Sequence, residues 1–228
     1  MATYVLIHGA WSGGWGWTKV AGLLRAAGHE VFVPTLTGLG ERSHLLHPGI
    51  TLSTHIQDVL GVFKYEDLQD VILVGHSYGG MVITGVSGRI ADKIRTLVYL
   101  DAFVPANGQC LWDLSGQGVM IEGQKATPGL ISPMRFAAKS EDPEAEAMRQ
   151  RKLGPQPMLT LTEAVVLDGS EKAIGARTYI WATASPGFQR FHEQLLKDPA
   201  WRVKTIDTGH VVMLDDPDGL AALLLDEA

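Results

Sequence analysis

A serine hydroxyl attacks carbonyl carbon only when a base takes its proton and its turn exposes it. One stretch of this chain has the spacing for that. Gly75-His76-Ser77-Tyr78-Gly79 reads G-x-S-x-G. The chain has 26 glycines, so the bare pattern carries less than its context. Four strand formers, Val71-Ile72-Leu73-Val74, lead directly into it, and Met81-Val82-Ile83 open a helical pattern after it. Strand, sharp turn and helix form the setting that holds a serine in a strained backbone with its Oγ exposed. The flanking glycines let the turn close, and the helix N-terminus behind Ser77 favours developing negative charge. The competing reading is a plain strand–helix turn with an incidental serine.

Of the eight histidines, His210 suits the base best. Asp207-Thr208-Gly209-His210 follows the last strand, Arg202 to Ile206, and precedes the last helical pattern, Leu220 to Leu225. Loops at the carboxyl ends of parallel strands gather on one edge, so Ser77 and His210 converge although distant in sequence. His76 is a neighbour on the turn and points elsewhere. His55 falls on the apolar face of a helical pattern and reads as a satisfied, partly buried histidine. His29, His44, His47 and His192 read as surface or loop residues.

The elements that must position these groups are legible as two alternating periods. Short continuous apolar runs at Tyr4–Ile7, Val31–Pro34, Val71–Val74 and Ile94–Leu100 read as strands buried on both faces, and Thr178–Trp181 and Arg202–Ile206 read as two further strands. Helical spacing recurs at Trp17–Ala27 with Gly28 as its stop, at Leu52–Phe63, from Met81, and at Phe188–Leu196. The alternation predicts an α/β fold with a mostly parallel sheet of about six strands and helices on both faces. Residues 103–175 break the rhythm. There one helix is legible, with Asp142 as N-cap, Pro143 at its first position, acids early and Arg149, Arg151 and Lys152 late. The expected division is a core of 1–102 and 176–228 with a cap of 103–175, the cap acting as a lid.

Composition excludes several classes. Lys+Arg number 19 against 25 Asp+Glu, a net charge of -6, so no basic footprint for nucleic acid exists. No run of apolar residues is long enough to cross a membrane, no signal peptide is expected, and the lone Cys110 cannot form an internal disulfide, which suits a cytoplasmic location. Neither H-E-x-x-H nor paired-cysteine spacing occurs, so no metal and no cofactor is expected. A dinucleotide site at the first glycine-rich loop fails: Gly9, Gly13, Gly14 and Gly16 miss G-x-G-x-x-G, and Pro34-Thr35 ends the second strand without an acid for a ribose.

The chain resembles the α/β-hydrolases. It is most similar to the group containing methyl-salicylate-type esterases, hydroxynitrile lyases and bacterial esterase relatives. Val5-Leu6-Ile7-His8-Gly9-Ala10-Trp11, Gly75 to Met81, and Gly209-His210-Val211-Val212-Met213-Leu214 carry the resemblance from first strand to last helix. It implies an oxyanion hole from the backbone N–H groups of Ala10 and Tyr78, with His8 in a structural hydrogen-bonding role. The lyases carry threonine at Ala10 and lysine at Val211; their absence favours hydrolysis over cyanohydrin cleavage. The usual strand end for the triad acid offers only Ala182-Thr183-Ala184-Ser185-Pro186, without a carboxylate. Asp101, ending the strand after the nucleophile strand, is the expected acid, and Asp207 is its competitor. Asp215 and Asp216 read as caps of the last helix. A Ser–His dyad, with Asp101 only capping the Phe103 or Val104 amides, stays open.

Trp11, Phe103, Trp112 and Val211 are the expected substrate-pocket residues. Leu114, Met120, Met134, Phe136 and Met158 either line that pocket or pack the cap. The expected function is hydrolysis of small carboxylic esters through an acyl-enzyme. A carbamate or amide hydrolase on the same triad is the alternative, and a non-catalytic ligand-binding protein is the alternative of another class. The expected partner is a small-molecule ester or carbamate, without nucleic acid or membrane, and a homodimer stays open.

Overall fold

In the computed structural model the described residues are 1–115, 128–134 and 143–228. Six parallel strands make one sheet: β1 (Thr3–Ile7), β2 (Glu30–Phe32), β3 (Val71–His76), β4 (Ile94–Leu100), β7 (Ala176–Ala182) and β8 (Arg202–Ile206). Their order is β2-β1-β3-β4-β7-β8. The chain winds outward from β1 to the β2 edge, then returns to build the rest on the other side. The reversal lies between β1 and β3, the place where an open α/β sheet leaves a crevice beyond its strand ends.

Period two along the strands explains both cores. Val5, Ile7 and Leu73 face one layer; Tyr4, Leu6, Ile72 and Val74 face the other, and all are fully buried. Helices α2 (Leu52–Tyr65) and α3 (Gly79–Ser87) cover the first face, while α1 (Thr18–Ala26) covers the second with the C-terminal helix. Each buried Leu, Ile or Val is worth about 1.5–3 kcal/mol relative to exposure, which makes this sheet a rigid platform.

Between β4 and β7 the chain leaves the sheet. The described part of that segment holds α4 (Leu111–Ser115), β5 (Leu130–Ile131), α5 (Pro143–Lys152), β6 (Gln156–Pro157) and α6 (Leu159–Thr162), with β5 and β6 paired antiparallel. The sequence shows only α5; the two shorter helices are about one turn each and too brief for a periodic signal. Asp142, the expected cap of α5, lies outside the described residues, as do Met120 and Phe136.

Other boundaries also shift. β2 ends at Phe32 rather than Pro34, because proline has no N–H to give a ladder. The loop 35–49 contains a 3-10 turn at Gly40–Leu45. After β7, α7 (Gln189–Leu195) follows a 3-10 turn at Pro186–Phe188. After β8 come α8 (Val212–Asp215) and α9 (Pro217–Leu225). The last helix starts three residues before the apolar pattern does, since Pro217 suits its first position and Asp216 Oδ1 accepts the Gly219 N–H at 2.9 Å.

Candidate active site

The carboxyl ends of β1, β3, β4 and β8 carry Gly9–Trp11, Ser77, Asp101 and His210. Ser77 takes φ +54°, a left-handed conformation that costs a non-glycine residue about 1–3 kcal/mol. Its surroundings fix it there. The Ser77 N–H donates to the Leu100 carbonyl at 3.2 Å, and its own carbonyl accepts the Gly80 and Phe103 N–H groups at 3.0 and 3.2 Å. The turn needs its glycines: a Cβ on Gly75 would lie 2.6 Å from the Gly79 oxygen, and one on Gly79 2.8 Å from the Ile7 oxygen.

Asp101 and Trp11 share that strain, with φ of +41° and +63°. Three of the chain's unusual non-glycine conformations therefore surround one point. The Asp101 N–H donates to the Ile180 carbonyl at 2.7 Å, and Oδ1 accepts the Ala182 N–H at 3.3 Å. Oδ2 lies 2.6 Å from His210 Nδ1, and His210 Nε2 lies 3.0 Å from Ser77 Oγ. Exposure is 6% for Ser77, 5% for His210 and 0% for Asp101, so the three groups meet with little water between them. A carboxylate on Nδ1 makes that nitrogen the N–H donor and leaves Nε2 able to accept the serine proton.

The other carboxylates are engaged elsewhere. Asp207 is exposed and accepts from the Thr183 hydroxyl at 3.2 Å. Asp215 does not cap α9; its Oδ2 accepts the Gly209 N–H at 3.0 Å and so braces the loop before His210. The Phe103 N–H goes to Ser77, not to the Asp101 side chain.

His210 is further held by stacking. Phe188 lies parallel to its ring at 4.8 Å, and His76 approaches at 4.7 Å and donates from Nε2 to the His210 carbonyl at 2.8 Å. Burial, with the neighbouring His210, keeps His76 well below the ordinary histidine pKa. His8 sits at about 4, chiefly through burial; its Nδ1 donates to the Gly9 carbonyl and its Nε2 accepts the Leu36 N–H. His55 is likewise pushed down to about 4 by burial and bonds to Tyr78 and Thr37. These three are neutral structural groups at pH 7.

The Ala10 and Tyr78 amides have no protein acceptor among the described residues. Ala10, Trp11 and Ser77 border two cavities. One, about 290 Å³, is mostly apolar and lined by Tyr78, Phe103, Leu111, Leu161 and Phe188. The other, about 50 Å³, is lined on the His210 side by His76, Val211 and Met213. Trp11 and Phe103 thus border the larger space and Val211 the smaller. Trp112 borders neither; its neighbour Leu111 does, and Trp112 packs against the core as a half-buried residue. Met134 lines both cavities, while Leu114 and Met158 pack against the core.

Sequence reasoning misses Leu111, Leu161 and Phe188 as lining, and Gln156, whose side chain accepts the Trp11 N–H at 3.0 Å. Gln156 stands between two prolines in a stretch without periodicity, which offers no signal. Among the described residues no cluster of histidine, cysteine and carboxylate side chains could hold a metal ion, and no helix is long and apolar enough to cross a membrane.

Comparison with known proteins follows the same geometry. The model of the alpha/beta hydrolase family matches residues 4–223. The chain is 44% identical over 239 residues, 98% of each chain, to a carbendazim-hydrolysing esterase of Nocardioides sp. (strain SG-4G). It is 37% identical over 103 residues to salicylic acid-binding protein 2 of Nicotiana tabacum, covering 45% of this chain and 40% of that one. Among solved structures, an extracellular alpha/beta-hydrolase from a Paenibacillus species superimposes with a TM-score of 0.88 at 26% identity, over 100% of this chain and 99% of that one.

Proposed function

This chain belongs to the alpha/beta hydrolase family, and from that premise we propose that it hydrolyses small carboxylic esters or carbamates with Ser77 as nucleophile, His210 as base and Asp101 as the acid that orients it. The single observation carrying the reading is the chain of contacts from Asp101 Oδ2 to His210 Nδ1, 2.6 Å, and from His210 Nε2 to Ser77 Oγ, 3.0 Å. Full-length similarity to an esterase supports it.

In this mechanism Ser77 Oγ attacks the carbonyl carbon as its proton passes to His210 Nε2. Asp101 stabilises the imidazolium without taking its proton. The carbonyl oxygen becomes an oxyanion between the Ala10 and Tyr78 N–H groups, each donor being worth roughly 3 kcal/mol of barrier. Collapse breaks the bond to the alkoxy oxygen, which leaves as the alcohol with the proton from His210. Water then attacks the acyl-enzyme, His210 takes its proton, and the acid departs as Ser77 recovers its hydrogen. A carbamate follows the same path through a carbamoyl-enzyme.

The cavities support an assignment of the two halves of the substrate. His210 must protonate the leaving oxygen, so the alkoxy group belongs on its side, in the space of about 50 Å³. The acyl group belongs in the apolar space of about 290 Å³. Small alcohols on larger apolar acyl groups fit best. We read residues 103–175 as the cap that closes this acyl space.

Ser77→Ala tests the reading. It should lower the kcat for a methyl ester of an apolar acid by several orders of magnitude, leaving only roughly 10³–10⁴ over water, and abolish covalent labelling by an organophosphonate. Esterase activity unchanged in that variant would sink the proposal.

A further inference from the structure

We propose that Gln156 is a positioning residue for the oxyanion hole: its side-chain amide holds Trp11 in place, so that the preceding Ala10 N–H converges with the Tyr78 N–H on one point. This rests on the serine-hydrolase reading above.

Gln156 and Thr160 are fully buried, although neither touches Ser77 or His210 by hydrogen bond. Gln156 Oε1 accepts the Trp11 N–H at 3.0 Å, and its Nε2 donates to Thr160 Oγ1 at 2.6 Å. The Thr160 hydroxyl donates to the Pro157 carbonyl at 2.6 Å. The Tyr78 hydroxyl lies 2.8 Å from His55 Nδ1, and His55 Nε2 lies 2.9 Å from the Thr37 carbonyl.

The protons in this chain run one way. A carbonyl only accepts, so His55 Nε2 carries the ring hydrogen. His55 is neutral at pH 7, so its Nδ1 accepts from Tyr78. The Thr160 hydrogen is likewise committed to the Pro157 carbonyl, so its oxygen accepts from Gln156 Nε2, which leaves Gln156 Oε1 to accept from Trp11. Turning the Gln156 amide over would set donor against donor at Trp11. A buried polar chain satisfied in one orientation is rigid.

Trp11 needs that rigidity. A bulky side chain at φ +63° persists only where its surroundings over-determine it. Every polar group of Trp11 is held by the segment between β4 and β7. Gln156 takes its N–H, the Ile131 carbonyl takes its indole N–H at 3.0 Å, and its carbonyl accepts the Gly154 N–H at 3.0 Å. Ala10 precedes Trp11, and Tyr78 carries the second donor on its own backbone. One amide therefore braces the loop that carries the Ala10 donor. Freed from Gln156, the Ala10–Trp11 peptide relaxes toward negative φ and the Ala10 N–H turns with it.

The test uses Gln156→Met, which keeps length and removes the hydrogen bonds, and Thr160→Val, which keeps shape and removes the acceptor. The readouts are kcat and KM for methyl butyrate per phosphonate-titrated site. To these are added Ki for an aryl trifluoromethyl ketone, which adds to Ser77 as a tetrahedral oxyanion, and Ki for butyrate. In Gln156→Met, kcat should fall and the ketone Ki should rise by about tenfold or more, with KM and the butyrate Ki nearly unchanged. Thr160→Val should move the same two quantities in the same direction. A residue that merely filled the core would lower the melting temperature and leave kcat per titrated site and the ketone Ki at their starting values, and that result overturns the proposal. If Gln156→Met does not fold, Thr160→Val decides by the same criterion. If the unmodified protein is not labelled by the phosphonate, the hydrolase reading fails and this inference with it. If it is labelled and both variants behave normally, this inference alone fails.

Discussion

At the residue scale, the sharpest contrast is between two aspartates near His210. Asp207 is three residues away in sequence, exposed, and bonded to Thr183. Asp101 is 109 positions away, fully buried, and 2.6 Å from Nδ1. Proximity along the chain counts for little here because a loop must double back to bring a near neighbour onto the ring, whereas a strand end arrives already aimed. Asp101→Asn should lower kcat by roughly 10⁴-fold, since the amide favours the wrong histidine tautomer. Asp207→Asn should stay close to the unmodified enzyme. Steady-state kinetics on a methyl ester of an apolar acid check both, and the reverse ranking would transfer the role to Asp207.

At the element scale, glycines separate into two kinds. Gly22 in α1 and Gly61 in α2 have open space where a Cβ would go, so Gly22→Ala and Gly61→Ala should each raise stability by about 0.4–1 kcal/mol through a less flexible unfolded chain. Gly80, at the start of α3, has the Phe103 carbonyl oxygen in that place, so Gly80→Ala should destabilise and misplace Ser77. Urea unfolding curves measure all three. The short helices α4 and α6 present Leu111 and Leu161 to the larger cavity. Leu161→Ala should therefore shift kcat/KM toward bulkier acyl groups, while Trp112→Ala should leave that preference unchanged. Helices such as α2 were legible because several turns of apolar spacing repeat in them; α4 and α6 were not, because one turn repeats nothing.

At the scale of the whole molecule, three buried histidines tie stability to pH. His8 and His55 titrate near 4 in the folded protein, against 6.5 ordinarily, and His76 is also well below its ordinary value. Between pH 6.5 and 4 the unfolded chain binds protons that the folded chain refuses. Stability is therefore complete above about pH 6.5 and falls as the pH drops, by about 2 kcal/mol per histidine of the His8 and His55 kind at pH 5. Urea midpoints at pH 7.5, 6 and 5 should decline in that order. A flat profile would mean that these rings gain protons without cost in the fold.

The sequence by itself determined the sheet, the turn that carries Ser77 and the loop that carries His210. Those signals are local: an apolar run reports burial on two faces, and glycines around a serine report a turn that admits no other side chain. The pairing of Asp101 with His210 could be argued from strand order, but Asp101 and Asp207 remained rivals until the strand ends were in place. Only the tertiary structure decided that Leu111 rather than Trp112 borders the larger cavity, that Asp215 braces the His210 loop, and that Gln156 reaches Trp11. The first and last are contacts between segments distant in sequence, set by how the segment between β4 and β7 folds onto the sheet, while the Asp215 contact spans six residues and depends on the turn that the backbone makes after β8. No local spacing encodes which face of a one-turn helix, or which end of a buried amide, meets a loop more than a hundred residues away.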